Sequence, residues 1–140
     1  MHLSTRVAIA FLCVAAVRSA GAQEFKIIVN EANAVTTMPP SEIAQVFLKK
    51  RTKWPSGVPV EPIDLPAGPV RAAFSQEVLG REVSAIRMYW QQQIFSGRST
   101  APQEKPTDAA AIAYVKDNPG AIAYVSANAP TAGVKVVALK

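Results

Sequence analysis

Thr107-Asp108-Ala-Ala-Ala-Ile-Ala-Tyr-Val-Lys-Asp-Asn-Pro-Gly-Ala-Ile-Ala-Tyr-Val125 contains the pentapeptide Ala-Ile-Ala-Tyr-Val twice, at Ala111–Val115 and at Ala121–Val125. The first copy follows Thr107-Asp108, a hydroxyl and an acid suited to the start of a helix. The second follows Asn118-Pro119-Gly120, which stops a helix and turns the chain. A short apolar run bounded by turn residues reads as a buried strand. The same five residues are therefore expected to be helix first and strand second. A helix that returns through Asn-Pro-Gly into a buried strand is one step of a layered α/β domain.

Working outward, Phe25–Val29 is β-rich and reads as the first strand, followed by a polar loop over Asn30–Thr37. Pro39-Pro40-Ser41-Glu42 opens a helix whose apolar face is Ile43, Val46 and Phe47. Trp54-Pro55-Ser56-Gly57 is a turn, and Val58–Ile63 a second strand that its two prolines shorten or confine to an edge. Pro69 begins a helix striped by Val70, Ala73, Phe74 and Val78 and stopped by Gly80. Glu82–Phe95 is predicted to pack through Val83, Ile86, Trp90 and Ile94. Arg98–Pro106, polar and with two prolines, is predicted to be a mobile loop. Val134–Leu139 closes the chain as a last strand. Tyr114 and Tyr124 are expected to pack with their hydroxyls at the surface.

The first 22 residues stand apart. Arg6 precedes an apolar run, Val7–Val17, and Ala20-Gly21-Ala22 has the small-residue pattern of signal cleavage between Ala22 and Gln23. The run is shorter than the roughly 20 apolar residues a spanning helix needs. Residues 1–22 are thus expected to be a removed secretory signal and residues 23–140 one exported, periplasmic domain. Cleavage would remove His2 and Cys13, the only histidine and the only cysteine. That excludes from the mature chain a His or Cys metal site, a thiol nucleophile, a disulfide and a His-based triad. No cofactor is expected. It would also remove Arg6 and Arg18, lowering the net charge from +5 to about +3. The one basic run, Lys49, Lys50, Arg51 and Lys53, reads as a solvated helix end rather than a nucleic-acid surface, which needs a broader basic face.

Several pieces recur in order: Val29-Asn30-Glu31-Ala32-Asn33-Ala34-Val35; Ile43-x-x-Val46-Phe47-Leu48 with Trp54-x-x-Gly57; Arg71-x-x-Phe74; Val78-Leu79-Gly80; Tyr89-Trp90; Phe95-x-Gly97; and Asp117–Val125. This series resembles the phosphate substrate-binding proteins of ABC importers. The resemblance implies one lobe of a type II periplasmic-binding-protein fold, a mostly parallel sheet flanked by helices. Full-length members have two lobes, and this chain is long enough for one. In that family the phosphate site of the corresponding lobe is a strand, an Arg and Gly-Ser-Gly-Thr at a helix start, where amides, hydroxyls and the helix dipole all favour an anion. Here the segment is Ile63-Asp64-Leu65-Pro66-Ala67-Gly68-Pro69-Val70. Gly68 matches the second glycine, Ala67 and Pro69 replace Ser and Thr, and Ile63 stands where the Arg would be. A glycine that the family carries near the end of its first helix is Lys49 here.

Three functions follow. The first is an exported binder of inorganic phosphate or a similar anion, of weak affinity, serving phosphate transport. Its site would use the hydroxyls of Thr36 and Thr37, the amides of Gly68, Val70 and Arg71, and the Arg71 charge. Because ligands sit at the carboxyl ends of strands in open α/β sheets, Asn30–Thr37, Leu65–Arg71 and Ser126–Asn128 are expected around one rim. The second is an interaction module that kept the lobe and lost the ligand, pairing with itself as a homodimer or with a periplasmic protein. The third, an enzyme, would rest on carboxylates such as Glu77 and Glu82, whose spacing across Gly80 reads as a solvated helix junction.

Overall fold

The computed structural model describes Glu24–Lys140. The signal sequence expected over residues 1–22 and its cleavage point at Ala22 and Gln23 lie outside the described residues. Among the described residues no helix is long and apolar enough to cross a membrane.

Six strands of the described residues form one sheet: β1 (Phe25–Asn30), β2 (Thr37–Met38), β3 (Glu61–Asp64), β4 (Gln103–Glu104), β5 (Ala121–Ser126) and β6 (Val134–Leu139). Their spatial order is β2-β6-β1-β5-β3-β4. The β2–β6, β3–β5 and β3–β4 pairs are parallel, whereas β1 is antiparallel to both β5 and β6. Five strands therefore run one way and β1, near the middle, runs against them.

Among the described residues four α-helices cover the sheet: α1 (Pro40–Phe47), α2 (Pro69–Phe74), α3 (Val83–Phe95) and α4 (Asp108–Asp117). The period of two in β1 and β5 sorts them into layers. Phe25, Ile27 and Tyr124 share one face, where Phe74 of α2 meets Phe25 edge-on at 5.6 Å and stacks on Tyr124 at 3.9 Å. Phe47 of α1 packs into the same aromatic group, 4.7 Å from Phe74. On the other face Asn30 donates through Nδ2 to the Val115 and Lys116 carbonyls of α4, at 2.9 and 3.0 Å.

The repeated pentapeptide divides as its punctuation predicts. In α4 only Ala111 and Val115 are buried, and the Thr107 hydroxyl caps the helix by accepting from the Ala110 amide at 3.1 Å. In β5 all five residues are fully buried. Gly120 is needed at the turn between them because a Cβ there would lie 2.0 Å from the Pro59 carbonyl oxygen.

Elsewhere the structure corrects the sequence reading. β3 begins at Glu61 rather than Val58; Pro59, without an N–H, makes only an isolated bridge to Lys53. Nor is β3 an edge, since β4 pairs outside it. β4 itself lies within Arg98–Pro106, predicted as a mobile loop, and β2 begins at the last residue of the predicted Asn30–Thr37 loop. The α2 helix continues through a π-helical turn, Ser75–Leu79, to Gly80 at φ 66°. Ile94 continues the α3 stripe but falls in its last turn and is 54% exposed.

The ends of α1 and α3 are the same Schellman motif. After α3, Gly97 (φ 69°) donates to Ile94 and Arg98 donates to Gln93. After α1, Lys49 (φ 56°) donates to Val46 and Lys50 donates to Gln45. Lys49 thus holds a left-handed position that glycine fills elsewhere in the molecule.

Candidate functional site

The reversed β1 divides the predicted rim. Asn30 lies beside Ala121, at the start of β5, whereas Ser126 lies beside Phe25 at its far end. Asn30–Val35 therefore sit at the opposite end of the sheet from Leu65–Arg71 and Ser126–Asn128. There Asn33, Val35, Trp54, Val58 and Pro119 line a hollow of about 370 Å³. Thr36 and Thr37 do return toward the other end, since Thr37 pairs with Ala138. They do so on the β2 edge, four strands from β3, about 19 Å at the usual strand spacing. The structure therefore brings Gly68, Val70 and Arg71 together and leaves Thr36 and Thr37 apart from them.

The Gly68–Arg71 segment meets the start of α4. Leu65, Gly68, Val70, Arg71, Thr107 and Asp108 line an open cleft of about 220 Å³. Gly68 is extended, with φ 166°, and its carbonyl accepts from Ala72 at 3.0 Å. The amides of Gly68, Val70 and Arg71 have no backbone acceptor among the described residues. Pro69 has no N–H to add. Across the cleft the Asp108 carboxylate accepts from the Ser126 amide at 3.2 Å, fixing the end of β5 to the start of α4.

The sheet register builds the charged wall of this cleft. Ile63 pairs with Ala123 and Asp64 with Glu104, so Glu104, Asp64 and Tyr124 form one row across β4, β3 and β5. Neighbouring carboxylates on adjacent strands repel. Arg71, in the first turn of α2, lies over both: Nη2 is 3.3 Å from Asp64 Oδ2, and Nη1 is 3.4 Å from Glu104 Oε2 and 3.1 Å from the Leu65 carbonyl. The Asp64 and Arg71 side chains are only 16% and 15% exposed. Tyr124 donates its hydroxyl to Asp64 Oδ1, which also accepts from the Leu65 amide at 2.9 Å.

Burial pushes the Asp64 carboxyl above its ordinary range, against the pull of Tyr124, Arg71 and the Leu65 amide. Burial, with Asp64 alongside, likewise pushes the Tyr124 phenol strongly upward, so it stays a donor. Behind this row Phe47, Phe74, Ile86 and Trp90 close a void of only about 10 Å³, too small for a ligand. Among the described residues no three His, Cys, Asp or Glu side chains come together as metal ligands.

The Asp64–Tyr124–Arg71 cluster was missed from sequence, and the Tyr124 hydroxyl points inward rather than to the surface as expected. One signal was present. An aspartate closing a strand that pairs with the all-apolar Ala121–Val125 needs a buried polar partner, and Tyr124 is the only residue of that run able to donate from its side chain.

The fold, with its cleft at the carboxyl end of β3, is shared with solved structures. In structure the chain is similar to a putative phosphate ABC transporter substrate-binding protein from Clostridium perfringens, solved with bound phosphate (TM-score 0.63, 20% identity, 81% of this chain and 44% of that one). It is also similar to an ABC-type phosphate transport receptor from Vibrio cholerae (TM-score 0.60, 18% identity, 81% and 45%). A possible phosphate-binding protein from Planctomyces limnophilus matches likewise (TM-score 0.61, 16% identity, 84% and 41%). The chain spans under half the length of each of these structures. No family model and no curated protein matches the sequence.

Proposed function

We propose that this chain is an exported, non-enzymatic lobe that binds inorganic phosphate or a similar oxyanion weakly in the Gly68–Arg71 cleft, in the manner of a substrate-binding component of a phosphate importer. One observation carries the reading: three amides without backbone acceptors and an arginine converge at the strand end of a fold shared with phosphate-binding proteins. Two features keep the affinity low. Arg71 is already engaged by Asp64 and Glu104, and Asp108 sets a third carboxylate on the cleft. One lobe also leaves half of a bound anion in water, where its hydrogen bonds are worth least.

The test is calorimetric titration of the chain from Gln23 with phosphate, beside Gly68→Asp. The extended backbone at Gly68 accepts a side chain, with no neighbour nearer than 3.9 Å, so the new carboxylate alters charge and not fold. Saturable binding in the millimolar range that Gly68→Asp abolishes supports the site. Equal heats from both proteins refute it.

A specific observation favours a second reading, docking to a protein partner. The outer face of α3 presents Phe95, 95% exposed, with the exposed Met88 two turns before it. Exposed aromatic and methionine side chains grouped on one helix mark interfaces. Sedimentation at rising concentration, for wild type and Phe95→Ser, tests self-association through this face. Identical monomeric behaviour of both removes the homodimer.

A further inference from the structure

The cleft contains a contradiction for an anion site: its only arginine is held by a carboxylate of the same fold. If the cleft binds oxyanions as proposed above, that contact decides when it can do so. We propose that Asp64 is a proton-operated latch on Arg71: ionised, it holds the guanidinium against the sheet, and protonated, it releases Nη2 to the cleft.

The geometry supplies each part. Asp64 is bound on both carboxylate oxygens, Oδ2 by Arg71 of α2 and Oδ1 by Tyr124 of β5 and the Leu65 amide. Glu104 of β4 is the second acid facing Arg71, but it is half-exposed and its ion pair is screened by water. Lys105, the other cation on that edge, is turned away over the Tyr114 ring at 4.6 Å and gives Asp64 no charge contact. Asp108 of α4 is fixed on the Ser126 amide. From α1 and α3 only apolar groups face this row, Phe47 and Trp90 among them. Of the groups around Arg71, Asp64 is thus the buried one, and burial favours its neutral form. Protonation leaves Asp64 able to accept from Tyr124 and Leu65 while removing the charge that orients Nη2. Arg71, on the first turn of α2, lines the cleft already, so its guanidinium needs only side-chain rotation to meet an anion there.

Sulfate is the probe, because its charge is constant between pH 8 and pH 5. Calorimetric titrations compare wild type, Asp64→Asn and Glu104→Gln. The latch requires wild-type affinity to rise about tenfold or more as the pH falls. Asp64→Asn must bind at pH 8 at least as tightly as wild type does at pH 5 and show little further change, while Glu104→Gln keeps the pH dependence. If wild type and Asp64→Asn bind equally at every pH, the latch is wrong and the anion site stands. If neither binds at any pH, both are wrong. Should Asp64→Asn fail to fold, the ¹⁵N–¹H resonance of Arg71 Nε in wild type gives the same decision. It must titrate with the Asp64 carboxyl carbon at one shared midpoint, and an Arg71 signal indifferent to that titration overturns the latch.

Discussion

The two tyrosines of the repeated pentapeptide have the same neighbours in sequence and opposite roles in the fold, so Tyr→Phe at each is a controlled comparison. Tyr124 is fully buried and donates to Asp64, while its ring stacks on Phe74 at 3.9 Å and 7°. Phenylalanine keeps the stack and loses only the hydroxyl. A hydrogen bond to a charged group contributes about 1.5–3 kcal/mol, and its loss leaves Asp64 short of a donor in a buried place. The expected loss is therefore about 2 kcal/mol at pH 8, near 8 °C in melting temperature for a domain of this size. The Tyr114 hydroxyl donates to Glu61 at 3.0 Å at the surface, where such a bond is worth about 0.5 kcal/mol. Urea unfolding of both variants at pH 8 and pH 5 measures the difference. As the pH falls and Asp64 takes up a proton, the Tyr124→Phe loss should shrink toward about 1 kcal/mol, the value of a neutral bond. Equal losses at the two positions, or a Tyr124→Phe loss that does not depend on pH, would refute the buried carboxylate–phenol pair.

Three further outcomes follow from the same structure. Gly120→Ala should cost at least about 3 kcal/mol or prevent folding, because its Cβ would meet backbone at 2.0 Å, whereas Gly68→Ala, with only a 3.9 Å contact, should stay within about 0.5 kcal/mol; thermal melts of both decide. Lys49→Gly should stabilise by about 0.5–1 kcal/mol, since it relieves a left-handed lysine in a Schellman turn, and an unchanged or lower urea midpoint contradicts this. Asp64 has a raised pKa in the folded state, so its contribution to stability is complete below the unfolded value and is lost as pH rises through the folded one. Wild-type stability should therefore gain from Asp64 as pH falls through that folded value toward the unfolded one, and Asp64→Asn should lack this increment in urea midpoints taken from pH 8 to pH 4.

Much of the fold could be read from local punctuation. Thr107 caps α4, Pro40 and Pro69 begin helices, and Asn118-Pro119-Gly120 turns the identical pentapeptide from helix to strand. These are short-range effects, fixed by dihedral limits and orphan amides within a few residues. The direction of β1 is not. Nothing in Phe25–Asn30 differs between a strand that runs with its neighbours and one that runs against them, and that single reversal moves Asn30–Val35 to the other end of the molecule. β2 and β4 have two residues each, too few for any periodicity, and exist only because β6 and β3 offer free edges. Gly68, Val70 and Arg71 could be gathered from sequence because they are neighbours along the chain. Thr36 and Thr37 could not be placed, since their distance from Arg71 is set by strand order.

On the proposed anion site, the row Glu104–Asp64–Tyr124 would link the stability of the fold to ligand binding. An anion that draws Arg71 out of the row leaves Asp64 and Glu104 side by side without a cation, and the repulsion is largest when both are ionised. Binding at pH 8 is then opposed by the Asp64 charge as well, while binding with Asp64 protonated is opposed by the screened Arg71–Glu104 contact, the Leu65 carbonyl's hold on Nη1 and the Asp108 carboxylate. The same linkage makes melting temperature a poor reporter of affinity here, because the anion stabilises its own contacts and weakens the ion pair at once. It also makes Arg71→Ala ambiguous, since that variant removes the anion's partner and strands two carboxylates together. Asp64→Asn separates these effects. It relieves the charge that holds Arg71, preserves the acceptors that Tyr124 and Leu65 need, and leaves the arginine in place to meet the ligand.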